Sequence, residues 1–329
     1  MMLVCFGTRP EYVKIKPVIA ALSGHVPYKL LFTGQHTDLL SNIDEPVERL
    51  KITEGQNRLD SIVSSIMNGI DFHKEGITSV LVQGDTTSSF AIALSAFQHN
   101  IRVVHLEAGL RTYNLDHPYP EEANRQMISR IASIHLCPTD YSKNILEKEK
   151  ISGIVEVVGN TVLDNLVNVK VGNENKVLVT LHRRENQHNI EAWFREIEKL
   201  SKKYNNYDFV IPVHPNPKIK KYKNIFKNVI ACEPMSYSDL IDFLSSCSYV
   251  ITDSGGIQEE AAFFKKPCMV CRRETERTEG LGNYSLLCEE PDFLFKRFEE
   301  LNALELKGEC PYGDGKSVEK IIKILKEFL

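Results

Sequence analysis

Residues 101–125 read IRVVHLEAGLRTYNLDHPYPEEANR. The stretch opens on a short β-branched run, Ile101 to Leu106, that suits a buried strand. Glu107 falls where that strand gives way to a loop. Pro120, followed by Glu121 and Glu122, marks the start of a helix. Strand, loop and helix in this order make one step of an α/β fold. The loop between them carries Arg111, Tyr113, His117 and Tyr119, more functional groups than a plain connection needs. Two carboxylates on opposite sides of such a loop can face one small substrate from two directions. Equally, acidic residues favour first helical turns, and Glu121 and Glu122 fit that role as well.

The same alternation extends to both sides. Met2 to Phe6 forms a first strand, and Gly7-Thr8-Arg9-Pro10-Glu11 turns into a helix running to about Ser23. Thr8 and Glu11 have capping-box spacing, and Pro10 suits a first turn. No GxGxxG follows this strand, so the usual dinucleotide fingerprint is missing. Arg9 and Lys14 bracket the start of the helix. A second strand spans Tyr28 to Phe32, and residues 58–74 have a helical period. Thr78 to Gln83 is a strand running into Gly84-Asp85-Thr86-Thr87, where Asp85 is either a site carboxylate or a helix cap. A helix from Glu121 to about Ala132, a strand from Ile134 to Cys137, a helix from Asp140 to about Lys150 and a strand from Val155 complete this half. Arg9, Asp85 and Glu107 all stand at strand ends. In a parallel sheet those ends share one edge, and ligands bind there.

Residues 160–175 carry little long-range pattern and are read as the link between two domains, 1–167 and 168–317. An amphipathic tail, Val318 to Leu329, is expected to pack as a helix on the first. The second series begins with the strand Lys176 to Leu181 and the group His182-Arg183-Arg184, a cationic cluster that asks for anions or carboxylates. His214 closes the next strand. The strand Tyr249 to Thr252 runs into Ser254-Gly255-Gly256 and directly into a helix. Glycines allow close backbone approach, and the exposed N–H groups of a helix start suit phosphate. Glu260, about two turns on, can accept from ribose hydroxyls. Arg272, Arg273 and Arg277 follow the next strand and suggest a diphosphate clamp.

At 329 residues the chain suits two α/β domains with parallel sheets. A net charge of -4 with no basic stripe argues against nucleic acid as the main partner. No apolar run approaches the roughly 20 residues of a membrane span, and the apolar N-terminus lacks the pattern of a signal peptide. Eight scattered cysteines fit a reducing cytosol and a cytoplasmic location. Cys268 and Cys271 have CxxC spacing, but without a second pair they read as structural rather than as zinc ligands.

Taken together, GTRPE at 7–11, QGDTTS at 83–88, EAGLRT at 107–112, PEEANR at 120–125, HRREN at 182–186, DSGGIQEEA at 253–261 and TERTE at 275–279 resemble the non-hydrolysing UDP-N-acetylglucosamine 2-epimerases. The resemblance spans nearly the whole chain. It implies a GT-B-like pair of Rossmann-like domains facing across a cleft, the first carrying acid–base residues and the second holding the nucleotide. It implies interconversion of UDP-GlcNAc and UDP-ManNAc with no redox cofactor and no catalytic metal, by a homodimer. By similarity Asp85, Glu107, Glu121 and His182 are the acid–base and site residues, and Arg9 and Lys14 stabilise the leaving diphosphate. Ser254, Gly255 and Gly256 contact phosphate, Glu260 the ribose and Arg277 the nucleotide. Many relatives have Gln-His-Arg where this chain has Gln35-His36-Thr37, and residues 41–57 look shortened, so a second, allosteric nucleotide-sugar site is not expected. Four other readings compete: a hydrolysing epimerase releasing ManNAc and UDP, an epimerase of a modified UDP-2-acetamido sugar, a glycosyltransferase of similar fold, and a silent nucleotide-sugar sensor.

Overall fold

A computed structural model describes residues 1–35, 43, 45–73, 76–213 and 220–328. The expectations placed on His36, Thr37 and on 214–217 lie outside these residues. The chain divides into two compact units, Met1–Leu166 with Gly313–Leu329, and Val167–Tyr312. Each is a parallel α/β domain.

In the first unit the strands are β1 (Met2–Phe6), β2 (Tyr28–Phe32), β3 (Val47–Arg49), β4 (Ser79–Gln83), β5 (Arg102–Leu106), β6 (Ile134–Cys137) and β7 (Ile154–Val157). They line up as β3-β2-β1-β4-β5-β6-β7, every neighbouring pair parallel. β1 and β4 are buried along their whole length, which is why they read as continuous apolar runs rather than as alternating ones. Successive side chains of β1 still go to opposite faces. Met2, Val4 and Phe6 join Ile15, Val18, Ile19 and Leu22 of helix α1 (Arg9–Leu22). Leu3 and Cys5 join Ile62 and Ile66 of α2 (Arg58–Gly69) and Ala91 and Ile92 of α3 (Thr87–Gln98). Two further helices, α4 (Glu121–Ile131) and α5 (Asp140–Lys148), follow β5 and β6. Strand order reverses direction between β1 and β4, and the carboxyl ends there are where such sheets bind ligands.

The second unit holds β8 (Glu174–Thr180), β9 (Asp208–Pro212), β10 (Ile230–Cys232), β11 (Cys247–Thr252), β12 (Cys268–Val270) and β13 (Ser285–Leu287), in the order β10-β9-β8-β11-β12-β13. Its described helices are α6 (Ile190–Lys203), α7 (Tyr237–Ser246), α8 (Gly255–Phe263) and α9 (Leu294–Asn302). Trp193, Phe194 and Ile197 of α6 pack with Val177, Val179, Phe209, Ile251 and Phe298 into one core. Here the order reverses between β8 and β11, so the second set of strand ends offers a like crevice.

The last helix, α10 (Ser317–Phe328), belongs to the first unit, where Ile321, Ile322 and Leu325 share the α1 face of the core. Asp164 accepts from the Ser317 and Val318 amides at 3.2 and 2.9 Å and so caps the helix, while Arg102 Nη1 donates to the Phe328 carbonyl at 2.6 Å. Several elements differ from the sequence expectation, most of them by one or two residues at an end. α2 ends at Gly69, after which Ile70 turns extended. β3 has one partly buried apolar residue and carries no pattern to read. β8 begins earlier than expected, on two exposed residues. Among the described residues, no helix is long and apolar enough to cross a membrane.

Candidate functional site

In the first unit the groups at the ends of β1, β4 and β5 are held by dedicated partners. Thr8 caps α1, with its hydroxyl facing the Glu11 amide and the Glu11 carboxylate returning to the Thr8 amide at 2.7 Å. That box fixes the first turn of α1, which carries Arg9 exposed at its first position, and Lys14 one turn further on. Lys14 Nζ donates to both oxygens of Glu107, at 2.6 and 2.7 Å, with the Lys14 and Glu107 side chains 13% and 9% exposed. Gln83 Nε2 donates to the same carboxylate. Glu107 adopts φ +65, a left-handed backbone that folds the chain back directly after β5.

Asp85 follows Gly84, whose φ of +67 makes the turn out of β4. Thr86, not Asp85, caps α3, its side chain accepting from the Ser89 amide. The Asp85 carboxylate is gripped by Arg125 through Nε at 3.0 Å and through Nη2, and its carbonyl accepts from Asn124 Nδ2 at 2.9 Å. Arg125 is 4% exposed, so this is a charge pair shielded from water on one side. His105, fully buried on β5, holds the Gly84 carbonyl at 2.8 Å through Nε2. Burial pushes its pKa down to about 3, against the opposing pull of that carbonyl, so the neutral ring donates the Nε2 proton.

The acidic pair that opens α4 divides by role. Glu122 is fully buried and accepts from the amides of Thr112 (2.9 Å) and Tyr113 (3.1 Å), from Gln126 (2.8 Å) and from Arg125 (3.2 Å). Glu121 is half-buried at the first position of the helix whose next turn grips Asp85. Of the four loop groups, Arg111 is a structural cation. It makes a two-pronged pair with Glu149 (2.9 Å each) and a bond to Ser129. Burial works against the Glu149 charge, but the Arg111 bonds outweigh it and hold that carboxyl below the usual range. Tyr113, His117 and Tyr119 are exposed.

In the second unit a single buried carboxylate organises the end of β8. Asp253 accepts from the amides of His182 (3.0 Å) and Arg183 (2.8 Å) and from Asn186 Nδ2 (3.0 Å). Its other oxygen lies 3.5 Å from Nδ1 of His182, a half-buried histidine. Next in the chain, Ser254 precedes α8 without a side-chain capping bond, so the helix start is not closed by its own cap. Glu260 is buried within α8 and accepts from Tyr237 Oη at 2.9 Å, and burial with this carboxylate beside it pushes the Tyr237 phenol up.

The three arginines after β12 do not form one clamp. Arg272 is spent on Glu185 (2.7 Å) and Glu276 (3.0 Å), and Arg273 is exposed and paired with Glu290. Only Arg277 reaches the Ser254-Gly255-Gly256 turn. Its guanidinium, bonded to Glu259 (2.8 Å) and to Glu276, lies so close to Gly255 that a Cβ there would stand 2.5 Å from Nη1. Cys268 and Cys271 are both buried, with thiols pushed up by that burial, and act as core groups. Gln83, Asn124, Arg125 and Asp253 contact the candidate residues and were not singled out from the sequence. For Asn124 and Arg125 the signal was there, three and four residues after Glu121 on a helix starting at a strand-end loop.

The sequence model of a family described as UDP-N-acetylglucosamine 2-epimerase matches residues 20–326. A relative from Neisseria meningitidis bearing that name is 36% identical, over 98% of this chain and 98% of its own. The crystal structure of UDP-GlcNAc 2-epimerase from Neisseria meningitidis bound to UDP-GlcNAc superposes with a TM-score of 0.88 at 35% identity, covering 99% of both chains. A lipopolysaccharide outer core galactosyltransferase shares the fold alone, with a TM-score of 0.62 at 12% identity over 100% of this chain and 99% of its own.

Proposed function

Because this chain belongs to the UDP-N-acetylglucosamine 2-epimerase family, we propose that it interconverts UDP-GlcNAc and UDP-ManNAc without hydrolysis, by eliminating UDP and adding it back to 2-acetamidoglucal. What supports this reading above all is the set of carboxylates at neighbouring strand ends of the first unit. Asp85 and Glu107 each carry a cation of their own, Arg125 and Lys14, and Glu121 opens the helix that supplies Arg125.

The hydrogen at C2 of the sugar is not next to a carbonyl, so its direct removal is unfavourable. When the bond from C1 to the diphosphate oxygen breaks, the electron pair leaves with UDP and C1 gains positive character. The C2 proton can then be taken, and its bonding pair becomes the C1=C2 double bond. In the return step the UDP oxygen attacks C1 and a proton reaches C2 from the other face. One carboxylate must accept on one face and one carboxylic acid donate on the other, so the two begin in opposite protonation states. We assign these to Asp85 and Glu121. Glu107, bound by Lys14 and Gln83, supports them. Arg9 and Lys14 supply positive charge for the departing diphosphate.

On this reading the second unit grips the nucleotide. The N–H groups at the start of α8, from Ser254, Gly255 and Gly256, hold phosphate. Glu260 takes the ribose, Arg277 the nucleotide, and His182 stands at the end of β8 beside Asp253. The test is to incubate the protein with UDP-GlcNAc in D2O and follow C2 by NMR. Deuterium at C2 of both epimers, with the sugar still on UDP, is the expected result. Accumulation of free reducing ManNAc would show a hydrolysing enzyme instead. A folded protein that binds UDP but neither exchanges nor converts would overturn the reading.

A further inference from the structure

Glu11 is 2% exposed and takes no part in the chemistry assigned above. One of its oxygens, Oε2, accepts from the Gly7 amide (2.8 Å), the Thr8 amide (2.7 Å) and the Thr8 hydroxyl (2.8 Å). A capping box requires no more. The other oxygen leaves the box altogether. Oε1 accepts from Thr86 Oγ1 at 2.7 Å and lies 2.8 Å from Ser89 Oγ, 75 and 78 residues along the chain. Ser89 has one proton and also faces the Gln83 carbonyl at 2.7 Å, so it serves one acceptor at a time. Thr86 Oγ1 likewise faces a second acceptor, Ser89 Oγ at 3.2 Å, so the carboxylate holds three protons outright and shares two more.

Those donors come from two different strand-end turns. Gly7 and Thr8 make the turn from β1 into α1, the helix that carries Arg9 and Lys14. Thr86 caps α3 and Ser89 lies in its first turn, directly after the turn out of β4 that begins with Gly84 and Asp85. β1 and β4 are parallel neighbours, but their registered pairing ends at Val4 and Leu81, so it stops short of both turns. We propose that Glu11 is a positioning residue that locks the turn bearing Arg9 and Lys14 to the turn bearing Asp85. The proposal rests on the epimerase reading for its catalytic half and on geometry alone for the lock. Charge-assisted bonds to a buried carboxylate are stronger than neutral ones, and a misplacement of about 1 Å at reacting groups can cost about 10²-fold in rate.

Each side of the lock can be cut and read at the other. Glu11→Gln can keep its oxygen on the Gly7 and Thr8 amides, which cannot accept, and must turn its N–H toward Thr86 and Ser89. Amide hydrogen exchange by mass spectrometry should then speed up in residues 84–90. Thr86→Val removes the hydroxyl from the far side, and exchange should speed up in residues 7–14, while Thr86→Ser restores the parent pattern. In the D2O assay both Glu11→Gln and Thr86→Val should lower kcat by about 10²-fold, with KM and UDP affinity kept within about threefold. Faster exchange confined to the mutated turn in both variants would overturn the lock. Loss of kcat in Thr86→Val that Thr86→Ser fails to restore would overturn the positioning role. If the parent itself shows no deuterium at C2, the epimerase reading falls and the catalytic half of the proposal with it. The hydrogen-exchange measurement decides the lock in either case.

Discussion

Two adjacent glutamates at the start of α4 should respond in opposite ways to the same isosteric change. Each Glu122 oxygen faces donors only: Tyr113 N–H and Gln126 on one, Thr112 N–H and Arg125 on the other. In Glu122→Gln, whichever way the amide turns, its NH2 must face two of these donors. Two hydrogen bonds are lost at about 1–2 kcal/mol each, and buried Arg125 loses Glu122 as a carboxylate partner. The expected cost is about 3 kcal/mol, which for a unit of this size lowers Tm by roughly 6–12 °C. Glu121→Gln changes a half-buried side chain at the first helical position, where the cost is smaller than at fully buried Glu122. It should melt close to the parent yet fail to place deuterium at C2. Thermal melts followed by circular dichroism, beside the D2O assay at a temperature where both variants are folded, separate the two. A Glu122→Gln protein melting within about 2 °C of the parent would refute the structural role. Full exchange in Glu121→Gln would refute its place in proton transfer.

Asp85→Asn should abolish exchange while leaving UDP affinity, measured by titration calorimetry, within about tenfold, or about 1.4 kcal/mol; surviving activity would remove Asp85 from the mechanism. Gly255→Ala puts a Cβ against the pinned Arg277 guanidinium, for an expected loss of about 1–3 kcal/mol in urea unfolding. Gly256, with nothing within 4 Å of its Cβ position, should accept alanine nearly unchanged, and equal losses at both sites would count against this packing. Glu149 has its folded pKa depressed by Arg111, so between that value and the unfolded value of about 4.3 the unfolded chain binds more protons and stability rises with pH. The parent should therefore lose stability more steeply than Glu149→Gln as pH falls from about 5 to about 3, read as urea midpoints; parallel slopes would show that the Arg111 pair contributes nothing.

The α/β class was legible because β1, β2 and β6 are short, predominantly apolar runs bounded by turn residues, and their ends fall where the sequence puts them. The box at Thr8 and Glu11 was legible for the same local reason. What lay beyond reach was pairing between distant residues. Arg272 looked available for phosphate because, although Glu276 stands four residues on, its other partner Glu185 is 87 residues away. Arg125 stood on a helix the sequence marks, but its pairing with Asp85 is set by β4 and β5 lying side by side. The second function of Glu11 was hidden likewise, since nothing near it in the chain announces Thr86. β3 failed as a strand signal because an edge of three residues buries too little to leave a pattern.

The return of α10 to the first unit has a consequence for biogenesis. Val167–Tyr312 is one uninterrupted stretch and can mature as soon as it has left the ribosome, whereas the earlier-made unit must wait for residues 317–328. Until then Ile19, Leu22 and their neighbours beneath α10 stay wet, a sticky surface for as long as translation of some 150 intervening residues takes, roughly 10–30 s. The part synthesised first is thus finished last, and chaperone demand should concentrate on it.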